Sequence, residues 1–186
     1  MTIVQHKNID NSQLHEPKDI SLAVANKVYV SNGLGSGSWE YATAQGATTF
    51  YNESTPFSIL SPNAYVKVAP TTTPQTSPIE FTEGTDCSLT YVGLKQRVAF
   101  IYADLTIADS ASIGRNITVA IYRNGVILPF TGVSQIVAGV PTYRQGMHVS
   151  VKTSAVAGDK FEIYMKTGNA GTMALYGLQF VAQAVL

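Results

Sequence analysis

Hydrophobic and polar residues alternate with a period of two along much of this chain, the pattern of strands that bury one face in a sheet. Tyr65-Val66-Lys67-Val68 alternates until Pro70 stops it. The following run PTTTPQTSP carries Pro70, Pro74 and Pro78, each without a backbone donor, so it predicts a loop or an edge. From Val98 to Ile107 both faces are nearly continuously apolar, which predicts a strand inside a sandwich or against another subunit. Ile117, Val119 and Ile121 share one face of the next run, which ends at Arg123. Asn124-Gly125 then supplies two residues suited to positive φ, as a type I′ hairpin turn demands, and Val126-Ile127-Leu128 returns until Pro129. His148 to Lys152 alternates cleanly. Gly158-Asp159-Lys160 turns into a strand with Phe161, Ile163 and Met165 inward, and Leu175 to Ala182 closes the series. Seven or eight strands with turns between them, and no helical period, predict an all-β fold: a jelly-roll β-sandwich.

The first third of the chain reads differently. Residues 1–26 show no period, with single apolar residues scattered among Asn, Gln, His and Lys, and they predict an extended arm that orders on a partner. Val28-Tyr29-Val30 is a short strand, and Ser38-Trp39-Glu40-Tyr41 is a return strand after a glycine turn. Ala42 to Pro62 is small and polar, with Phe50, Tyr51, Phe57 and Ile59 as isolated anchors. The boundary falls near Ser61, giving an arm with a small anchoring β segment over 1–63 and a jelly-roll domain over 64–186.

Composition narrows the function classes. Twelve basic residues balance twelve acidic ones, so no bulk field draws the chain to nucleic acid or anionic membrane. Charged residues make up 13%, against about 25% in typical soluble chains, and neutral polar residues take their place. Such a surface suits packing against other subunits. One cysteine, Cys87, excludes an internal disulfide framework and a thiolate zinc site. No secretion signal and no membrane-spanning apolar run is present, so synthesis and folding in a reducing cytoplasm are expected.

Several chemical readings fail on spacing. Gly33, Gly35 and Gly37 follow a strand, but the third glycine comes one residue early for a dinucleotide fingerprint. No lysine follows before Lys67, which removes a phosphate loop. Ser36 sits directly between glycines and lacks the spacing of a nucleophile elbow. His6 and His15 lie in the arm, His148 at a strand edge, and Cys87 reads as an inert thiol. Glu80, Glu83 and Asp86 offer three acidic side chains in seven residues, yet their spacing matches no calcium loop. Lys95, Arg97 and Arg123 are too sparse for a nucleic-acid surface. The expectation is a non-enzyme without cofactor or metal. The ten tyrosines point to subunit packing, with glycan recognition as the alternative.

Two resemblances sharpen this picture. The ordered set of the Val98–Ile107 strand, ITVAIYRNGVIL, HVSVKTSAVAGDKFEIYM and ALYGLQFVA resembles the trimeric jelly rolls of the tumour-necrosis-factor and complement-globular-head type. It covers roughly residues 64–186. Upstream, LHEPKDISLAVANKVYVSNGLGSGSWEY resembles a segment at the start of many tailed-phage virion proteins, with Asp19 where those often carry glycine.

Together the resemblances imply a homotrimeric capsid decoration or head-fibre protein on the virion surface, made in the bacterial host cytoplasm. Its partners would be itself and the phage major capsid protein, with no nucleic acid and no membrane insertion. The capsid contacts would lie in Leu14, His15, Glu16, Pro17, Lys18, Val28, Tyr29 and Val30. The trimer seam would use Phe100, Tyr102, Tyr164, Tyr176 and Phe180. A tail-fibre tip reading a host surface glycan is the alternative.

Overall fold

A computed structural model of the chain describes residues 25–31, 37–53, 57–61, 64–74, 77–109, 114–139, 143–169 and 171–185. The chain divides between Ala42 and Thr43 into two units. The first contains an antiparallel hairpin of β1 (Lys27–Ser31) and β2 (Gly37–Tyr41), in which Tyr29 faces Trp39 across the ladder. Gly37 is required there: a Cβ would stand 2.2 Å from the Val30 carbonyl oxygen and 2.8 Å from the Tyr29 ring.

The second unit is an all-β sandwich. In chain order its strands are β3 (Thr43–Tyr51), β4 (Phe57–Ser61), β5 (Val66–Lys67), β6 (Thr73–Pro74), β7 (Phe81–Gly84), β8 (Ser88–Tyr91), β9 (Arg97–Asp109), β10 (Arg115–Arg123), β11 (Val126–Ile127), β12 (Val133–Val137), β13 (Gln145–Ala155), β14 (Lys160–Thr167) and β15 (Gly171–Val185). No helix occurs among the described residues. One sheet runs β13-β9-β15-β3-β6, with β4 also on β15. The other runs β11-β10-β14-β8-β7, with β12 on β10 and β5 on β14. Every pairing is antiparallel, and β13, β14 and β15 alternate between the sheets, as a jelly roll requires.

The domain boundary expected near Ser61 is corrected by this topology. β3 pairs with β15 from Thr43↔Val185 to Tyr51↔Gly177, and β4 continues from Phe57↔Leu175 to Ser61↔Gly171. β3 and β4 are therefore strands of the sandwich and not part of an arm. Near the middle of β3 the inward positions are small because the space is taken: a Cβ on Gly46 would lie 2.8 Å from Phe81 Cβ.

The core lies between the sheets. Ile101, Leu105, Ile107, Leu178 and Phe180 meet Ile117, Ile121, Phe161, Ile163, Met165, Leu89 and Phe81, all essentially buried. Phe161, Ile163 and Met165 point inward as the alternation predicts. Asn124 and Gly125 take φ of 53° and 78°, the positive values the hairpin turn demands.

Candidate functional site

Strands β9, β13 and β15 carry a second, outward face, and register decides what stands on it. Residues directly opposite in an antiparallel pair share a face. Phe100 lies opposite Lys152 and Gln183, Tyr102 opposite Ser150 and Val181, and Asp104 opposite His148 and Gln179. Val98 faces Val185 one step further along. Because Ala99, Ile101 and Ala103 point inward, the even-numbered β9 residues must point out. Phe100 is 47% exposed, and Val98 and Val185 are similarly open.

The rim of this face is polar and internally matched. His148 Nδ1 lies 2.8 Å from Asp104 Oδ1, and the Tyr102 and His148 rings are 6.2 Å apart. The Lys152 ammonium stands 5.5 Å from the Phe100 ring centroid, within cation–π range. Phe100, Tyr102, His148, Ser150 and Lys152 line an open groove of 460 Å³. The middle of the sheet beyond it carries glutamine and valine in place of charge.

Of the five expected seam residues, Phe100 and Tyr102 stand together at the centre of this face. Phe180 is fully buried in its own core, because it opposes Ala103 and shares that residue's inward direction. It has no surface to offer a partner. Tyr164 stands on the outer face of the other sheet, stacked on Tyr122 at 3.9 Å, with Tyr65 edge-on to Tyr122 at 5.7 Å. Burial raises the Tyr65 and Tyr122 phenols. Tyr176 sits where the β9–β15 register shifts, beneath the Arg144 guanidinium at 4.2 Å, and Arg144 also pairs with Glu53 at 3.1 Å.

Sequence reading missed Val98, Lys152 and Val185 on this outward face, and Val181, which shares their direction but is buried. The available signal was parity: Val98 lies two residues from Phe100 on its own strand, Lys152 and Val181 lie opposite Phe100 and Tyr102, and Val185 lies opposite Val98.

The acidic loop holds structure together. Glu80 accepts from Arg97 Nε at 2.6 Å, Glu83 from the Ala47 amide at 2.6 Å, and Asp86 from Lys67 Nζ at 2.6 Å. Lys67 and Lys160 alternate with Asp86 and Glu162 in a four-charge network. Burial works against the Lys67 ammonium, but hydrogen bonds to Asp86 and Glu162 outweigh it and raise its pKa. Among the described residues no three His, Cys, Asp or Glu side chains come together to hold a metal ion. Cys87 is fully buried at the adjoining turn, and burial pushes its thiol well up.

On the hairpin, Val28 is exposed, Tyr29 packs edge-on against Trp39 at 5.6 Å, and Val30 pairs with Ser38. Leu14, His15, Glu16, Pro17 and Lys18 lie outside the described residues, as do Gly33 and Gly35. Among the described residues no helix is long and apolar enough to cross a membrane.

The class these strands and faces define is an all-β sandwich of jelly-roll type with one partly aromatic outer face. No protein-family model matches the chain, and comparison with curated proteins found no match. Among solved structures the chain is similar to the PRD1 vertex protein P5, with a TM-score of 0.52, 11% identity, and 88% of this chain covering 84% of that one. It also matches the Eiger TNF from S. frugiperda (TM-score 0.46, 11% identity, 77% of this chain and 93% of that). A third match is murine APRIL (TM-score 0.41, 11% identity, 74% and 98%). At these identities the likeness is one of fold.

Proposed function

We propose that this protein is a non-enzymatic structural component of a tailed-phage particle, a homotrimer on the capsid surface anchored through its N-terminal segment. The observation that carries the reading is the outer face of β9, β13 and β15. Phe100, Val98 and Val185 stand there exposed and Tyr102 half-buried, an apolar patch with Lys152 and the His148–Asp104 pair at its rim, as a surface meant for a copy of itself would. The fold likeness to a protein named as a vertex protein supports a place on a particle. A two-stranded hairpin gains little stability alone in water, which supports β1 and β2, with Val28, Tyr29 and Val30, as a docking element for the major capsid protein. Three such contacts in a trimer would raise avidity by about 10²–10⁴ over one.

The glycan-reading tail tip is the weaker alternative. The tyrosine row that would serve it, Tyr65, Tyr122 and Tyr164, uses its ring faces on itself and on Lys166, which stands 4.9 Å from the Tyr65 centroid.

Gold-labelled antibody imaging of virions tests the reading directly. Label spread over the head supports decoration. Label confined to the tail promotes the glycan reading, and label on neither removes the particle from the account.

A further inference from the structure

Asn124-Gly125, at the tip of the β10–β11 hairpin, carries a thermolabile amide beside the residue that leaves it least shielded. The Gly125 nitrogen can attack Asn124 Cγ. A C–N bond forms, the Cγ–Nδ2 bond breaks, and Nδ2 leaves as ammonia with the proton that Gly125 gives up. Water then opens the resulting succinimide at either carbonyl. One opening leaves aspartate, the other isoaspartate, in which the main chain runs through Cβ and Cγ. Both residues are exposed, and a Cβ added at Gly125 would meet nothing within 4 Å. The chain's other Asn-Gly pair, Asn32-Gly33, lies outside the described residues.

The fold holds this amide fast. Asn124 Nδ2 donates to Asp159 Oδ1 at 2.9 Å, and Asn124 Oδ1 accepts from the Lys160 amide at 2.8 Å. The Asn124 backbone amide donates in turn to the Lys160 carbonyl at 2.9 Å. These bonds extend the β10–β14 ladder one rung past Arg123↔Phe161, with a side chain in place of backbone. Asp159 is buried, and its other oxygen accepts from the Val156 amide at 3.0 Å, so its own loop fixes the carboxylate. Arg123 Nη1 stands 3.8 Å from Asp159 Oδ2 and donates to the Ser154 carbonyl at 2.9 Å.

We propose that Asn124 is a deamidation site gated by the Asp159–Lys160 turn, and that its reaction releases the β10–β11 hairpin from that turn irreversibly. While the two loops are joined, Cγ cannot swing toward the Gly125 nitrogen without giving up both side-chain bonds. Once they part, the open surroundings of Gly125 let the reaction run. The product cannot dock again. An ionised aspartate at 124 has no N–H to offer, so a carboxylate oxygen would stand where Nδ2 met Asp159, 2.9 Å from a buried like charge. Arg123 offsets only part of that repulsion, because the same Nη1 already serves the Ser154 carbonyl. Isoaspartate adds a carbon to the main chain of a two-residue turn whose residues take φ of 53° and 78°, and so spoils the turn itself. The hydrogen bonds open and close reversibly, whereas loss of ammonia does not reverse.

The test uses the full chain. Peptide mapping by mass spectrometry follows conversion of Asn124 in mildly alkaline buffer, for the native protein, the protein unfolded in guanidinium chloride, and native Asp159→Ala. Conversion should run freely in denaturant and at least about 10-fold slower in the native wild type, with Asp159→Ala recovering much of the difference, as the loss of a hydrogen bond to a charged group implies. Native conversion as fast as in denaturant overturns the gate, and no conversion in denaturant overturns the site. Folded Asp159→Ala that converts no faster than wild type removes Asp159 from the gate. The consequence is read without any Asp159 variant. Asn124→Asp and Asn124→Gly both lose the amide donor, and both residues accept positive φ. In urea unfolding Asn124→Asp should be the less stable of the two, and equal stability overturns the irreversible release.

Discussion

Gly171 opens β15 directly over the Arg115 guanidinium. A Cβ there would stand 2.1 Å from Arg115 Cζ and 2.3–2.4 Å from its terminal nitrogens. The arginine has nowhere convenient to go: its side chain is 4% exposed, Nη1 donates to Asp109 Oδ1 at 2.8 Å and to the Thr172 carbonyl at 3.2 Å. Asp109 is itself fully buried. Gly171→Ala would normally favour a strand slightly, by about 0.5–1 kcal/mol. Here it must push the guanidinium off a buried carboxylate, and separating a buried pair costs about 3–5 kcal/mol. For a chain of this size that corresponds to a fall of roughly 6–20 °C in melting temperature, taking 2–4 °C per kcal/mol. Urea unfolding at one fixed protein concentration measures it, so that association does not enter the comparison. The decisive arm is the double variant. Arg115→Met alone should cost a similar amount, and adding Gly171→Ala to it should cost less than about 1 kcal/mol, because the methyl group then has no guanidinium to displace. Equal cost of Gly171→Ala in both backgrounds would refute the reasoning and assign the effect to the backbone.

Gly46→Ala should destabilise by about 1–3 kcal/mol, since its Cβ meets Phe81 Cβ at 2.8 Å inside a closed core; a stabilising result in the same unfolding assay removes the steric account. Phe180→Ala should cost about 3–5 kcal/mol of protomer stability, whereas Phe100→Ala should leave the protomer nearly unchanged and weaken self-association. For the network at Lys67, burial works to raise Asp86, but Lys67, Ser88 and Lys160 hold its carboxyl below the usual range. A depressed folded pKa gives stability that is complete above the unfolded value, about 3.9, and is lost as pH falls through the folded one. Wild type should therefore exceed Asp86→Asn in stability at neutral pH, with the gap closing below about pH 4; a constant gap from pH 7 to pH 2 would contradict it.

Strand periodicity revealed most of the sandwich because its central strands bury large side chains on one face. β10 and β14 show this directly, with Ile117, Val119, Ile121 and then Phe161, Ile163, Met165 inward. β3 was hidden for the opposite reason. Its inward residues are Ala44, Gly46 and Thr48, kept small by Phe81 and its neighbours, so the segment TAQGATTFY carries no hydrophobic alternation. β7 and β8 were masked by acidic residues whose partners lie far off in sequence: Glu80 with Arg97, Glu83 with the Ala47 amide, Asp86 with Lys67. Charge that is matched through the fold reads, in one dimension, as a solvated loop.

The exposed face was legible only in part, and the aromatic residues show why. Phe100 and Phe180 are the same residue type on adjacent strands of one sheet, yet one is 47% exposed and the other fully buried. Parity along each strand separates them, but β9 is apolar at both parities, and β15 contains a register shift at Tyr176. Alternation counted through that shift reverses inside and outside for everything beyond it. Tyr164 fails differently: its parity marks it as outward, but outward from the other sheet. A strand pattern states which side chains share a direction, whereas a seam requires that they share a sheet.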